Sequence, residues 1–494
     1  MKKWIKKGVS YHLPEKWMAV LWILLLGIML VPVLRLALYA VPWYDDYNYA
    51  LNVKSFINEY GIWPGAFKGA VYVVKTWWWC WQGTFSSIFM MSLMPEVFGE
   101  GYYSLGILGI ILFFTVSALI FVKITLAKVM KAQKTTQISV AVLVTLTMLE
   151  LIYTAQQGIY WYNAAVHYTF MHGCLFLLLT AAIKILYAEA WKHNVILAVS
   201  AAFLALVCSG SNFVTALQGI LLLVLLMLLG AAGKKKSVYY LLPSLCIYGF
   251  GLYKNIMAPG NDIRAMYYVG CGPVKSVLLS FQSGFAHFWE FTGVITILIL
   301  FLYGLMIWNT VSKVQFRFPF PAIVTLLSFC FYCTGFTSSY YGMGTEGLSR
   351  TWVVIKFTLQ LLLFVNVTYW IGWIQQRCKK RGRQIGQARQ WVWAYAFVGL
   401  LAVLWFQTNP NQAGSVLSYG AYYYVHTGEA YNLHQEYLQR VETIQSSEES
   451  IVEVMPYVWK PWFLYKGELS SDPFSETNKG MADWFGKEGI YIKE

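Results

Sequence analysis

The chain predicts an all-α, multi-pass membrane protein, and three observations carry that prediction. Of its 494 residues, 58% are hydrophobic and only 12% charged, too apolar a balance for an ordinary soluble domain. Runs of about 18 or more residues nearly free of charge recur along it, each able to cross roughly 30 Å of hydrocarbon as a helix. The 22 Trp and 35 Tyr suit a protein with many helix ends at headgroup depth. A net charge of +14 would suggest nucleic acid in a soluble domain. Here Lys and Arg cluster in short loops between apolar runs, a record of topology that argues against nucleic acid as a partner.

About eleven spans follow from the apolar runs, near 17–41, 101–125, 137–155, 168–187, 194–210, 213–232, 237–253, 284–309, 319–337, 351–374 and 391–408. A basic tail, residues 1–16, precedes them. With that tail inside, the cytoplasmic segments hold Lys2, Lys3, Lys6 and Lys7, then Lys128, Lys131 and Lys134, then Lys192, Lys234 to Lys236, Lys313 with Arg317, and Arg377 to Arg389. The short outward loops near 156–167, 211–212 and 338–349 carry no Lys or Arg. This asymmetry predicts a cytoplasmic-membrane protein with its N-terminus cytoplasmic and its C-terminus extracytoplasmic. The first apolar run extends past about 20 residues without a small-residue cleavage site, so it reads as an anchor and not as a cleaved signal. Residues 82–98 are apolar but short, which predicts an interfacial or re-entrant segment. The eight Cys include no CxxC pair, and zinc is not expected.

Two outward parts are large. The first, 42–100, opens with Val41-Pro-Trp-Tyr-Asp-Asp-Tyr-Asn-Tyr49, continues as the amphipathic stretch Leu51–Glu59, and carries the aromatic run Trp77–Trp81. It is predicted to lie flat on the headgroup layer. The second, 411–494, is polar, with a helical pattern around 428–446 and strand-like pieces near 451–455, 462–466 and 489–493. It predicts a small α/β extracytoplasmic domain packed on the transmembrane module, residues 17–410.

Asp45-Asp46 stands out because few charges interrupt the apolar parts of this chain. A hydroxyl that attacks a carbon needs a base for its proton, and where the leaving group is a phosphate little acid assistance is required, so one carboxylate suffices. Two neighbouring acids at the membrane edge raise one another's pKa through repulsion and desolvation. Asp45 is read as the base and Asp46 as the group orienting the acceptor, with the reverse assignment open. The pair also suits a divalent cation, Mg or Mn, held against a donor phosphate. The plainer reading is that the acids cap the amphipathic helix that follows.

Positive charge for a phosphate is offered first by Arg264, in Ala258-Pro-Gly-Asn-Asp-Ile-Arg264, where Pro259-Gly260 predicts a turn. Arg350 follows, after the Gly-rich stretch Tyr341–Gly347, and Lys254 is third. Ion pairs of Arg264 with Asp262 and of Arg350 with Glu346, or lipid-headgroup contacts, are the structural alternatives. Trp161, Tyr162, Asn163 and His167 offer aromatic planes and hydrogen-bonding groups suited to a sugar, or an interfacial aromatic belt. His287 and Glu290, one turn apart, and Glu346 add substrate-binding candidates. Glu150, within a predicted span, poses the same question, since ionisable groups at membrane depth are costly. Gly342, Gly344 and Gly347 lack the strand–turn–helix setting and Lys of a nucleotide loop.

Taken in order, Trp43–Tyr49, Gly158–Asn163, Ser209–Asn212, Ala258–Arg264 and Asp472–Asn478 resemble an uncharacterised bacterial membrane-protein family related to O-antigen glucosyltransferases. That family lies within the C-fold (GT-C) glycosyltransferases. The resemblance implies a lipid-linked donor, a polyprenyl-phosphate sugar, and an envelope glycan, glycolipid or protein acceptor. It also implies an acidic first outer loop and, with one carboxylate acting only as base, inversion at the anomeric carbon. A polysaccharide polymerase is a near variant. A flippase of lipid-linked sugars and a non-catalytic scaffold of an envelope-polysaccharide complex are the readings from other classes.

Overall fold

Helices dominate the computed structural model, which describes residues 15–188, 191–381, 409, 411 and 415–493. Helices lie over the first ten apolar segments: α1 Glu15–Ala37, α5 Tyr103–Lys128, α6 Lys134–Glu150, α7 Tyr162–Leu186, α8 Trp191–Ser209, α9 Phe213–Ala232, α10 Leu242–Ile256, α12 Pro273–Val311, α13 Pro321–Met343 and α14 Ser349–Lys380. Among the described residues, seven of these (α1, α5, α7, α9, α12, α13 and α14) are long and apolar enough to cross a membrane by length and composition. The protein is an all-α membrane protein with a minor sheet. The eleventh predicted segment, 391–408, lies outside the described residues, as does most of the basic tail 1–16.

The first large loop is helical. It folds as the hairpin α2 Asp45–Tyr60 and α3 Ile62–Cys80, followed by α4 Phe85–Ser92. Gly61, at φ 81°, turns the hairpin where a side chain would be strained. Gly65 and Gly69 let α3 lie against the backbone of Phe56, Ile57 and Val53. With eight residues, α4 is about 12 Å long, too short to span. Its Ser86 N–H donates to the Gly210 carbonyl at 3.0 Å, tying this loop to the short link between α8 and α9.

Two sequence expectations change here. Pro259-Gly260 does not form a turn but opens a short helix, α11 Pro259–Ala265, with Pro at the first position, where its missing N–H costs nothing. Gly260 is needed for contact: a Cβ there would strike the Trp81 and Gln82 backbone nitrogens. The piece 462–466 is not a strand. Leu464 and Tyr465 N–H groups both donate to the Pro461 carbonyl, at 3.0 and 2.8 Å, curling the chain so that Phe463 and Leu464 are buried.

The C-terminal part comprises α15 Leu417–His426, α16 Glu429–Ser446, β1 Ile451–Val454, α17 Glu476–Phe485 and β2 Gly489–Ile492, with β1 and β2 parallel and Ile451 opposite Gly489. Asn478, fully buried, closes it: its Oδ1 accepts from Ser470 N at 2.8 Å and its Nδ2 donates to the carbonyls of Ser470, Asp472 and Ile490. Arg440, also buried, reaches Glu468 at 2.9 Å and the Met455 carbonyl at 2.7 Å. The domain is fastened to the helical bundle at several points. Glu150 accepts from Ser418 N and Oγ at 2.9 and 2.8 Å, Lys54 Nζ donates to the Trp484 carbonyl at 2.9 Å, and Tyr47 and Tyr437 hydroxyls meet at 3.0 Å. Glu150 is therefore an anchor for α15.

Candidate functional site

The Asp pair sits where the chain leaves α1 and turns into α2. Tyr44, immediately before it, holds φ 28° and ψ −90°, a conformation costly for a residue with a Cβ. That junction sends the two carboxylates to different surroundings. Asp46 is fully buried, its Oδ2 accepting from Trp43 N at 2.9 Å and Tyr103 Oη at 2.8 Å, its Oδ1 from Asn163 N at 3.0 Å. Tyr103 Oη in turn accepts from Tyr162 N at 2.9 Å. Both acids stand in the first turn of α2, where the helix dipole favours them, but the cap position is Tyr44, whose side chain makes no capping bond, and Asp46 reaches past it to the Trp43 N–H. All three partners donate, which favours the charged form, yet burial still pushes the Asp46 carboxyl up to about 7, so hydrogen bonding and not titration is what separates it from Asp45.

Asp45 differs. Among the described residues it accepts no hydrogen bond and joins no ion pair. Burial pushes its carboxyl up to about 6, against the pull of the Arg350 guanidinium. A carboxylate without partners, poised close to neutral pH, has the properties a general base requires.

Arg264 and Arg350 converge on this group from the α11 helix and the start of α14. Both charges act on Tyr49 together with that of Asp45. Arg264 Nη1 donates to Gln82 Oε1 at 3.0 Å, and Gln82 Nε2 to the Tyr49 hydroxyl at 3.3 Å. Tyr49 stacks on Trp77 with ring centroids 4.2 Å apart. The guanidinium of Arg264 lies 5.7 Å from the Trp81 ring, and that of Arg350 5.7 Å from the Trp161 ring. Neither predicted local pair forms: among the described residues no ion pair joins Arg264 to Asp262 or Arg350 to Glu346.

Several buried polar atoms around these groups lack any hydrogen-bond partner: Arg264 Nε, Trp161 Nε1, His167 Nδ1 and both side-chain atoms of the Asn163 amide. Other buried polar atoms elsewhere in the described residues are also without partners, but these belong to residues beside the charged groups: Trp161 lies against Arg350, and the Asn163 N–H bonds Asp46. Trp161, Asn163 and His167 thus join the Asp45–Arg264–Arg350 group, the charges of both arginines reaching His167.

Other candidates lie apart. Lys254 is exposed at the end of α10, its ammonium 5.7 Å from the Phe250 ring and its carbonyl accepting from Trp78 Nε1 at 3.3 Å. His287, Glu290 and Glu346 form a second network, His287 Nδ1 2.7 Å from Glu290 and Nε2 3.0 Å from Glu346. Tyr153 Oη donates to Glu290 at 3.0 Å and Ser283 Oγ to Glu346 at 3.2 Å. The network sits just before Gly293, whose φ of 60° breaks α12 in two.

Sequence reasoning missed one charged residue. Lys466, on the Pro461–Gly467 loop, turns its ammonium inward; the nitrogen is buried, has no hydrogen-bond partner, and acts on Asp46. Burial lowers its pKa, while Asp46 raises it. Nothing in the tail's sequence distinguishes Lys466 from a surface lysine; only the curl at Pro461 aims it. Gln82 and Tyr49 were likewise hidden among the aromatic residues of the first large loop, and Tyr103 at the start of α5.

A cation held between the two acids is poorly matched to this donor set. Asp46 spends both oxygens on three hydrogen bonds and faces Lys466, which leaves Asp45 as the lone ligand. Among the described residues no group of three or more His, Cys, Asp or Glu side chains converges as a metal site. No protein-family model, curated protein or solved structure matches this chain.

Proposed function

We propose that the protein is a membrane glycosyltransferase that moves a sugar from a polyprenyl-phosphate carrier to a hydroxyl of an envelope glycan, glycolipid or protein on the outer side of the membrane. The observation that carries this reading is Asp45: a half-buried carboxylate that accepts no hydrogen bond among the described residues, with the Arg350 charge acting on it and the Arg264 charge meeting both at Tyr49, neither arginine being in an ion pair among those residues. In the reaction, an acceptor hydroxyl gives its proton to Asp45 as its oxygen bonds to the anomeric carbon. The bond from that carbon to the phosphate oxygen breaks, and the electron pair leaves with the lipid phosphate. Arg264 and Arg350 stabilise that phosphate with charge-assisted, forked hydrogen bonds. Trp161, Asn163 and His167 hold the sugar. Asp46 acts as a positioning residue, fixing the Trp43, Tyr103 and Asn163 segments around its neighbour. A base that attacks nothing itself implies a single displacement and inversion.

The test is sugar incorporation by membranes carrying Asp45→Asn and Asp46→Asn variants, with insertion verified by protease accessibility. Loss in Asp45→Asn at normal insertion supports the reading. Full incorporation by both variants removes the catalytic assignment and leaves translocation of the lipid-linked sugar as the better account.

A further inference from the structure

The end of the bundle away from Asp45 holds a cleft of its own. Helix α9 starts at Asn212, which bonds the His167 carbonyl, and runs 20 residues to Ala232, about 30 Å at 1.5 Å per residue. There it stops in a fixed turn. The Lys235 N–H donates to the Gly230 carbonyl at 3.0 Å and the Lys234 N–H to that of Ala231 at 2.8 Å, the paired bonds of a Schellman motif. The left-handed position of that motif is ordinarily glycine, but here Lys234 holds it at φ 54°. The turn places Lys235 and Lys236 on the wall of a cleft of about 720 Å³, lined also by Tyr187, Asn194, Tyr239 and Tyr240.

Two features separate this cleft from lysines that only mark topology. The Lys235 ammonium does not extend into water but folds back to 3.1 Å from the centre of the Tyr187 ring. Asn194 is only 4% exposed, and its side-chain oxygen has no hydrogen-bond partner. An amide oxygen only accepts, so what the cleft lacks is a donor, and the two lysines beside it do not supply one. Among the described residues neither lysine joins an ion pair. Tyr239 on the wall, Val195 and Ile196 next to Asn194 on α8, and Leu242 at the start of α10 are exposed, so the cleft adjoins a surface suited to acyl chains.

We propose that this cleft binds the headgroup of an anionic phospholipid, in the leaflet at that end of the bundle, whose headgroup carries a hydroxyl beyond the phosphate. Lys235 and Lys236 take the phosphodiester, and the headgroup hydroxyl donates to Asn194 Oδ1. A free phosphate shares the first contact and lacks the acyl chains. The inference is independent of the glycosyltransferase reading and concerns a different end of the molecule.

The experiment titrates the full chain, purified in detergent, with phosphatidylglycerol, phosphatidylmethanol, phosphatidylcholine and, separately, inorganic phosphate, and counts bound lipid by native mass spectrometry. Phosphatidylmethanol carries the charge without the hydroxyl, and phosphatidylcholine carries neither net charge nor donor. Phosphatidylglycerol is expected to bind at least about tenfold more tightly than phosphatidylcholine and about threefold more tightly than phosphatidylmethanol. Lys235→Gln combined with Lys236→Gln should weaken both anionic lipids about tenfold. Asn194→Leu should bring phosphatidylglycerol down to the level of phosphatidylmethanol and leave the latter unchanged. Lys128→Gln, Lys131→Gln and Lys134→Gln together, at exposed lysines where α5 passes to α6, should change nothing. An equal loss in that triple variant overturns the cleft in favour of a diffuse basic surface. Equal binding of phosphatidylglycerol and phosphatidylcholine overturns headgroup recognition, and displacement of lipid by an equal concentration of inorganic phosphate overturns the lipid as occupant. If Asn194→Leu does not fold, the preference of the parent protein for phosphatidylglycerol over phosphatidylmethanol still decides the hydroxyl contact.

Discussion

Replacing Asp45 by Asn should make the protein more stable and far less active, and the two effects follow from one cause. Burial lifts this carboxyl from 3.8 to about 6, so the folded state disfavours its charged form even with Arg350 nearby. A raised acid pKa means that the folded protein binds the proton more tightly than the unfolded chain. The penalty is absent below about pH 4, grows between the two values and is complete above about pH 6. About two pKa units correspond to an upper bound of about 3 kcal/mol at neutral pH. Asparagine escapes that penalty, so the variant's thermal midpoint should exceed the parent's at pH 8 and match it at pH 4. Sugar incorporation should fall by about 10² to 10⁴, the range for loss of a general base. In the parent protein, kcat/KM should drop about tenfold per pH unit below about pH 6 and level off above it. The assay is transfer of radiolabelled sugar by purified protein, paired with melting curves at both pH values. A variant less stable at pH 8 would mean that Asp45 is held in a favourable ion pair, and the reasoning fails; so does retained transfer.

Asp46→Ala also relieves a burial penalty, since that carboxyl is pushed up to about 7, but it strands the Trp43, Asn163 and Tyr103 donors, each costing about 1–3 kcal/mol, and the three together outweigh the relief; a lowered melting point together with lost transfer is expected. Arg264→Ala should raise the KM for the lipid donor at least about tenfold with a smaller change in kcat, read by steady-state kinetics at varied donor. Arg440→Ala leaves Glu468 without its buried partner, at a cost of about 3–5 kcal/mol, and should open the C-terminal domain to limited proteolysis while the bundle stays resistant.

Much of the helical order was legible because a span announces itself by length and lack of charge, and helices lie over every predicted segment that falls among the described residues. What escaped was set by contact and not by composition. Pro259-Gly260 reads locally as a turn, but the close approach to Trp81 and Gln82 makes it a helix start. The strand-like 462–466 is apolar for another reason, since Phe463 is a plug against Tyr160 and Tyr424. In the site, the Asp pair was visible as an anomaly of charge. Its division of labour was not, because it depends on Tyr103 and Asn163, which lie 57 and 117 residues away. Three of the motifs behind the family resemblance contain structural asparagines, Asn261 among them, its Nδ2 donating to the carbonyls of Asn255 and Ile256 at 2.8 and 2.9 Å. Asn212 caps α9 through Thr215 N at 2.9 Å, and Asn478 fastens the C-terminal domain. Recurrence of such a motif therefore speaks to fold before chemistry.

The most direct test of the central claim is a cryo-electron microscopy map of the Asp45→Asn variant with a polyprenyl phosphoryl sugar bound. The account predicts the phosphate between Arg264 and Arg350, the sugar against Trp161 and Asn163, and its anomeric carbon facing residue 45. The donor's phosphate seated at the Lys234–Lys236 end of the bundle, or its sugar out of reach of residue 45, would contradict it.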